Sequence, residues 1–204
     1  MLRFMIIAIL LMVGCTVKTT TTSTSSSAET RVAFVTNGVA DFWVLAGKGV
    51  EDAATDLNVS ASFHMPPDGL ADQKRIIEDL LVKGVSGIAV SPIDPKNQTP
   101  FLDKVSARTH LITHDSDAPE SARLCFVGVD NYEAGVLCGE LVKEALPSGG
   151  KIAIFVGRME QDNARLRRQG LLDTILGQER GVDAYEDASA VIKGNGFEIV
   201  GTLT

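Results

Sequence analysis

Phe42 and Trp43 are adjacent aromatic residues at a point where the sequence predicts a turn from a buried strand into a helix. Turns at such points are usually built from small polar residues. The two rings could belong to the core of the first helix. However, a narrow apolar stripe on a helix does not accommodate two consecutive side chains, so the spacing favours exposed rings that stack on a ligand.

Polar residues follow most of the other predicted strands at the equivalent point. The segments concerned are 37–43, 91–94, 115–116, 130–131 and 157–167. They are rich in Asp, Asn, Ser and Arg, and ligands of parallel α/β sheets bind just beyond the carboxyl ends of the strands. Carboxylates and amides form hydrogen bonds with vicinal hydroxyl groups, Arg adds a fork of donors, and aromatic rings cover C–H faces. The composition therefore predicts a site for a small polyhydroxylated molecule.

The elements that must position these residues alternate between short apolar runs and amphipathic segments. Such alternation predicts an α/β fold with parallel sheets and crossover helices. Strands are predicted at 31–36, 59–65, 86–92, 110–115, 124–130, 151–157 and 196–204. Helices are predicted at 42–57, 70–83, 100–107, 132–146 and 163–176. In the first helix we expect Val44, Val50, Ala53, Ala54 and Leu57 to face the core.

The N-terminal segment has a different composition. An apolar run from Phe4 to Val13 is shorter than the roughly 20 residues that span a bilayer, so residues 1–15 are predicted to be a signal peptide. The letters "MVGC" resemble the lipobox of bacterial lipoproteins, which implies cleavage before Cys15 and a lipid on its thiol. An ordinary secretory signal with an incidental cysteine is the alternative. Residues 16–30, rich in Ser and Thr, are predicted to form a flexible tether.

Several function classes are disfavoured by the sequence. A net charge of -7 argues against a nucleic-acid partner, whose phosphates attract basic surfaces. His110 and His114 are separated by about 13 Å along a strand, too far to share a metal ion. With three His and no nucleophile motif, we expect a binding protein that is not an enzyme and that needs no metal or other cofactor. Cys125 and Cys138 are expected to be small buried residues.

Five stretches of the chain, taken together, resemble a known family. They are "VTNGVADFW", "QKRIIEDLLVKGVSGIAVSPID", "LITHDSD", "FVGVDNYEAGVLCGELV" and "NARLRRQG", in this order from about residue 31. Each is similar to a motif of the ribose-type (type I) periplasmic sugar-binding proteins of ABC transporters. The resemblance implies two Rossmann-like α/β lobes, at 31–129 and 130–204, that close on a monosaccharide such as a ribose-like pentose or a hexose.

The resemblance also implies a role for individual residues. Phe42 and Trp43 would stack on the sugar ring, and Arg167 would reach the sugar from the second lobe. Asp130 would lie at the hinge, and Ser116, which stands where the family often has Arg, would also contact the ligand. The residues expected to bind sugar hydroxyls are Asn37, Asp94 and Asp115.

Some of these residues have alternative interpretations. Asp94 could cap the helix that follows it, and Asp115 could serve only the turn in which it lies. The three arginines of the last motif could form a solvated helix face paired with Glu160 and Asp162, an interpretation favoured for Arg165 and Arg168 more than for Arg167.

The implied partners are a monosaccharide, the permease of an ABC importer, and a bacterial membrane reached through the lipid on Cys15. The implied location is the periplasm or the cell envelope. A binding protein that serves a chemoreceptor or a sensor kinase is the alternative, as is a non-functional half-receptor. The family has more of its second lobe than precedes Thr204, so we expect an incomplete second lobe and marginal stability or self-association.

Overall fold

Strands and helices alternate along the chain in the computed structural model, which describes residues 29–178 and 189–204. The predicted signal peptide, Cys15 and nearly all of the predicted tether lie outside the described residues. Within the described ranges, no helix combines the length and the apolar character needed to cross a bilayer.

The first sheet has five parallel strands in the order β2-β1-β3-β4-β5. Its strands are β1 (Arg31–Val35), β2 (Ser60–His64), β3 (Gly87–Val90), β4 (His110–His114) and β5 (Phe126–Val127). The helices of this part are α1 (Asp41–Leu57), α2 (Leu70–Val82) and α3 (Pro95–Ser106). Alternate residues of the central strands, such as Val35, Val90 and Leu111, pack with residues such as Ile77 and Leu102 into one core. The predicted parallel α/β architecture is confirmed.

The second sheet has three strands in the order β6-β8-β7. Its elements are α4 (Asn131–Ala145), β6 (Gly150–Phe155), α5 (Asp162–Leu176), β7 (Ile192–Gly194) and β8 (Phe197–Leu203). The pair β6–β8 is parallel, whereas β7 runs antiparallel to β8 and was not predicted. Asn195 and Gly196 join β7 to β8 with φ values of 49° and 80°, a left-handed pair that favours a tight hairpin.

Helix α3 begins five residues earlier than predicted. We expected it to begin at Pro100, but Asp94 is the N-cap and Pro95 occupies the first turn. Proline is well tolerated there because the first helical N–H groups have no partner inside the helix. Pro100 lies within the helix.

The apolar side of α1 is buried less than expected. Trp43 is the buried residue of this helix, whereas Val44 and Leu57 are exposed. Val50 and Ala54 border an open apolar groove of about 320 Å³ between α1 and the sheet. The spacing of apolar residues in the sequence identified the apolar side of α1 correctly, but the sheet does not cover that side. Cys125 and Cys138 are likewise exposed, contrary to expectation.

Helices α4 and α5 pack closely through glycine. A Cβ added at Gly170 would lie 2.1 Å from the carbonyl oxygen of Tyr132, and one at Gly135 would lie 2.1 Å from that of Arg167. Because both neighbours are backbone atoms, the helices would have to move apart to admit a methyl group.

We therefore expect Gly170→Ala to lower the free energy of unfolding by about 2 kcal/mol, the usual cost of overpacking. Urea denaturation followed by circular dichroism measures this change. Gly49→Ala in α1 is the matched control, because no atom lies within 4 Å of the added Cβ and helix propensity favours Ala. Equal stability of the two variants would contradict the close packing of α4 and α5.

Candidate functional site

Asp115 lies at the centre of a hydrogen-bonded cluster at the carboxyl end of the first sheet. Its Oδ2 accepts hydrogen bonds from Asn37 Nδ2 at 3.3 Å, Ser91 Oγ at 3.1 Å and Asn163 Nδ2 at 3.4 Å. Asn37 follows β1, Ser91 follows β3, and Asn163 is in the first turn of α5. The structure thus brings Asn37 and Asp115 together, as expected from the strand ends. It adds Ser91 and Asn163, which lie in two of the predicted strand-end segments but were assigned no individual role.

The backbone turns sharply at Asp115, which has a left-handed φ of 59°. His114 and Ser116, on either side, form an isolated antiparallel bridge. Aspartate tolerates this conformation better than most residues. The turn therefore holds the carboxylate at the edge of the sheet, where the other strand ends meet.

Burial is the main influence on the charge of Asp115, and it raises the pKa of the carboxyl group. The hydrogen bonds from Ser91, Asn163 and Asn37 and the positive charge of Arg167 oppose this effect. Among the described residues, none donates a hydrogen bond to the second oxygen, Oδ1. The site thus offers an acceptor without a partner beside a guanidinium group.

The two aromatic residues differ in exposure. Phe42 is 63% exposed, whereas Trp43 is 5% exposed and donates from Nε1 to Asn37 Oδ1 at 3.1 Å. Their ring planes are inclined by 69°. Of the two rings, only Phe42 presents a large surface to solvent, and the stacking of both rings on a sugar stays a prediction. Exposure of this kind depends on how α1 sits on the sheet, which sequence periodicity does not specify.

His114 lies under the cluster and was considered in the sequence only as a metal ligand. Its ring stacks on Phe34 with centroids 3.9 Å apart and meets the edge of Trp43 at 5.6 Å. It is 6% exposed, and its Nε2 has no hydrogen-bond partner in the part of the chain that the structure describes. Burial lowers the pKa of His114 to about 4, although a hydrogen bond with the backbone of Val35 acts in the opposite direction.

The three arginines of α5 have different environments. Arg167 is exposed and, together with Asn163, borders a cavity of about 370 Å³. Arg165 pairs with Asp162 at 2.7 Å, as expected. Arg168 was expected to be solvated and this was wrong, because it is buried and its Nε donates to Thr202 Oγ1 of β8 at 2.7 Å. Helical periodicity could not reveal that β8 would cover this side of α5.

Three other predicted residues are not hydrogen-bonded to the Asp115 cluster. Asp94 caps α3, accepting from the backbone N–H of Asn97 at 3.2 Å. Asp130 caps α4, accepting from the N–H of Glu133 at 3.0 Å. Ser116 is fully buried, and within residues 29–178 and 189–204 its hydroxyl has no hydrogen-bond partner. The alternative interpretation of Asp94 as a helix cap is thus observed, whereas contact of any of the three with a ligand stays a prediction.

Replacing Asp94 separates the two roles that sequence analysis left open. We expect Asp94→Ala to lower the free energy of unfolding by about 1 kcal/mol, because the N-cap is lost. Asp94→Ser keeps a capping oxygen without the charge and should restore most of the stability, as measured by urea denaturation. If Asp94→Ser were no more stable than Asp94→Ala, the capping role would be contradicted.

The donors and acceptors of the cluster are suited to uncharged hydroxyl groups. Within residues 29–178 and 189–204, no group of three His, Cys, Asp or Glu side chains is arranged to hold a metal ion. Asp115 offers an acceptor, Arg167 a cationic donor and Phe42 an exposed apolar ring. Together these groups match the hydroxyl and C–H faces of a small carbohydrate.

The chain is similar in sequence to a family of known proteins. A family described as the periplasmic binding protein domain matches residues 32–202. The D-allose-binding periplasmic protein of Escherichia coli is 30% identical over 160 residues, which are 72% of this chain and 51% of that protein. The D-ribose/D-allose-binding protein of Pseudomonas aeruginosa is 26% identical over 160 residues, which are 71% of this chain and 49% of that protein. The chain spans about half the length of these curated relatives.

A solved structure shows the same arrangement of elements. An ABC transporter solute binding protein from Burkholderia graminis, in complex with D-arabinose, is 26% identical and superposes with a TM-score of 0.72. The superposition covers 84% of this chain and 55% of that one. Since the family match extends over most of the sequence and the fold agrees with it, the chain belongs to the periplasmic binding proteins, in their type I, sugar-binding group.

Proposed function

We propose that this protein binds a monosaccharide, a ribose-like pentose or a hexose, and presents it to the permease of an ABC importer. The sugar would lie between two lobes, 31–129 and 130–204, with Asp130 at the hinge between them. The protein would bind its ligand and release it chemically unchanged.

One observation carries this proposal. Asp115 of the first sheet is hydrogen-bonded to Asn163 of α5, which packs with the second sheet. A half-buried carboxylate between two such units, with one oxygen that accepts no hydrogen bond from the described residues, is a suitable acceptor for a ligand hydroxyl group. A small polyhydroxylated molecule could form hydrogen bonds with the first sheet and with α5 at the same time.

The other residues are assigned by their exposure and chemistry. Phe42 would stack on the sugar ring with Trp43 behind it, and Arg167 would donate to a hydroxyl oxygen. Ser116 would be a further ligand contact: its hydroxyl is buried in this structure and has no hydrogen-bond partner among the described residues. Asn37 and Asp94 would contribute further hydrogen bonds.

The names of the relatives support a sugar as the ligand. Those relatives bind D-allose, or D-ribose and D-allose, and the solved structure from Burkholderia graminis holds D-arabinose. The four sugars to test first are therefore D-ribose, D-allose and D-arabinose, together with D-xylose, because a xylose/arabinose-binding protein of Sulfolobus acidocaldarius is also similar to this chain.

A titration of the full chain with each sugar, monitored by the fluorescence of Trp43, tests the proposal. Trp43 is the sole tryptophan, so any change of emission arises beside the cluster. We expect a saturable change with one of these sugars and recovery of that sugar unchanged. If isothermal calorimetry with the same four and with other pentoses and hexoses also gave no binding, the proposal would fail.

We also propose that the mature chain is attached to a bacterial membrane through a lipid on Cys15, which places it in the periplasm or cell envelope. The support is the short apolar run that ends at this cysteine and the Ser/Thr-rich segment that follows. Labelling with radioactive palmitate in a bacterial host is expected to mark the wild-type chain. Cys15→Ala should remain unlabelled, and equal labelling of both chains would contradict the assignment.

A further inference from the structure

The indole N–H of Trp43 is engaged inside the protein. Trp43 is 5% exposed, and its Nε1 donates to the side-chain oxygen of Asn37 at 3.1 Å. The ring is held in place by edge contacts with Phe34, Phe42 and His114. Since its faces are covered, the indole contributes to the site through this hydrogen bond more than through stacking on a ligand.

This hydrogen bond determines which way the Asn37 amide points. With Oδ1 occupied by the indole, the amino group faces Ser91 Oγ at 3.1 Å and Asp115 Oδ2 at 3.3 Å. A flipped amide would direct its oxygen at the carboxylate and its N–H groups at the indole N–H, and both contacts would be repulsive. The indole therefore selects the orientation in which Asn37 donates to Asp115.

The orientation has a consequence for the carboxylate. Oδ2 of Asp115 accepts three hydrogen bonds, from Asn37, Ser91 and Asn163, whereas an ionised carboxylate has about two lone-pair sites on each oxygen. Its Oδ1 accepts none from the described residues. Recognition of a ligand by this group is thereby directed to one oxygen.

We propose that Trp43 is a positioning residue, whose indole N–H fixes the amide of Asn37 so that Asp115 binds ligand hydroxyl groups through Oδ1 alone. The proposal rests on the proposed sugar-binding function. The alternative is that Trp43 only fills space, as any aromatic core residue does.

The charge of Asp115 provides a measurement that needs no ligand. Arg167 of α5 is the charged group whose field acts on it, while the segments after β1 and β3 contribute the neutral Asn37 and Ser91. The neighbouring His114, with a pKa of about 4, titrates in the same range, so its ring signals are followed alongside the Asp115 carboxyl signal. Because the Asn37 donor favours the ionised carboxylate, loss of its orientation should raise the pKa of Asp115.

The test uses the full chain with Trp43→Phe, which keeps a ring but removes the N–H donor. We expect the midpoint of the ¹³C NMR titration of the Asp115 carboxyl group to move to higher pH. We also expect sugar affinity to fall about tenfold, which is the effect of one hydrogen bond to a charged partner. The control Phe63→Leu removes an aromatic ring stacked on Phe34 but leaves the hydrogen bond in place. Phe63→Leu should change neither the pH of the Asp115 titration nor the sugar affinity.

A double-mutant cycle separates positioning from packing. Asn37→Ala should reduce affinity about tenfold, and adding Trp43→Phe to it should cause no further loss, because the two residues act as one unit. Additive losses, or an unchanged Asp115 titration in Trp43→Phe, would overturn the proposal.

Two further outcomes are distinguishable. If the wild-type chain binds no sugar, the proposed function fails, while the Asp115 titration still decides the positioning role. If Trp43→Phe does not fold, the single indole N–H signal in ¹H–¹⁵N spectra replaces it. We then expect that signal to shift and to exchange faster in Asn37→Ala than in the wild type, and an unchanged signal would overturn the proposal.

Discussion

Asp115→Asn is expected to weaken sugar binding about 100-fold, because a charge-assisted hydrogen bond becomes a neutral one and an acceptor is replaced. The asparagine would direct its oxygen at the three donors that now meet Oδ2. Its amino group would then face the ligand and repel a donating hydroxyl. Calorimetric titration with the sugar that the wild type binds best measures the loss.

The same substitution should leave the fold intact. Asparagine adopts the left-handed conformation found at position 115 readily, and burial already disfavours the carboxylate charge. Asp79→Asn on α2 is the matched control, since it removes an equal charge from an exposed pair with Arg75. Unchanged affinity in Asp115→Asn, or an equal loss in the control, would contradict the role of Asp115.

A loss of about 3 kcal/mol of stability is expected from His114 alone as the pH falls from about 6.5 to about 4. Burial lowers the pKa of His114 to about 4 in the folded chain, against 6.5 when it is unfolded. Between these values the unfolded chain binds a proton that the folded chain does not, so acid favours unfolding. The stabilising effect of neutral His114 is complete above pH 6.5 and is lost on acidification.

Urea denaturation at several pH values between 7 and 4 measures this dependence. His114→Gln should flatten the curve relative to the wild type, because the carboxyl groups common to both chains cancel in the difference. His110→Gln removes an exposed histidine from the same strand and should preserve the wild-type slope. Parallel curves for the wild type and His114→Gln would contradict the prediction.

The sequence allowed the sheet edge to be predicted better than the side chains that complete it. Apolar runs of strand length placed Asn37 and Asp115 at strand ends on the same edge of the sheet, and those residues do meet. Asn163 could not be assigned in the same way, because its contact depends on how α5 approaches the first sheet. Local patterns carry no information about that approach.

Burial was harder to predict than secondary structure. A helical period identifies an apolar side, but only packing decides that Trp43 is covered while Val44 is not. Arg168 shows the opposite case, a charged residue covered by a strand distant in sequence. By contrast, the Asn195-Gly196 pair is a local signal for the β7–β8 hairpin, and it was available in the sequence.

Because the rings of Trp43 and His114 are in edge contact, the fluorescence of Trp43 should report the protonation of His114. The two rings lie 5.6 Å apart, and a protonated imidazole quenches an adjacent excited indole far more strongly than a neutral one. The fluorescence of Trp43, the sole tryptophan, should therefore decrease on acidification while the chain is still folded. Lifetimes recorded without any sugar would then report the proton on one buried ring, and comparisons between ligands require a constant pH well above that transition.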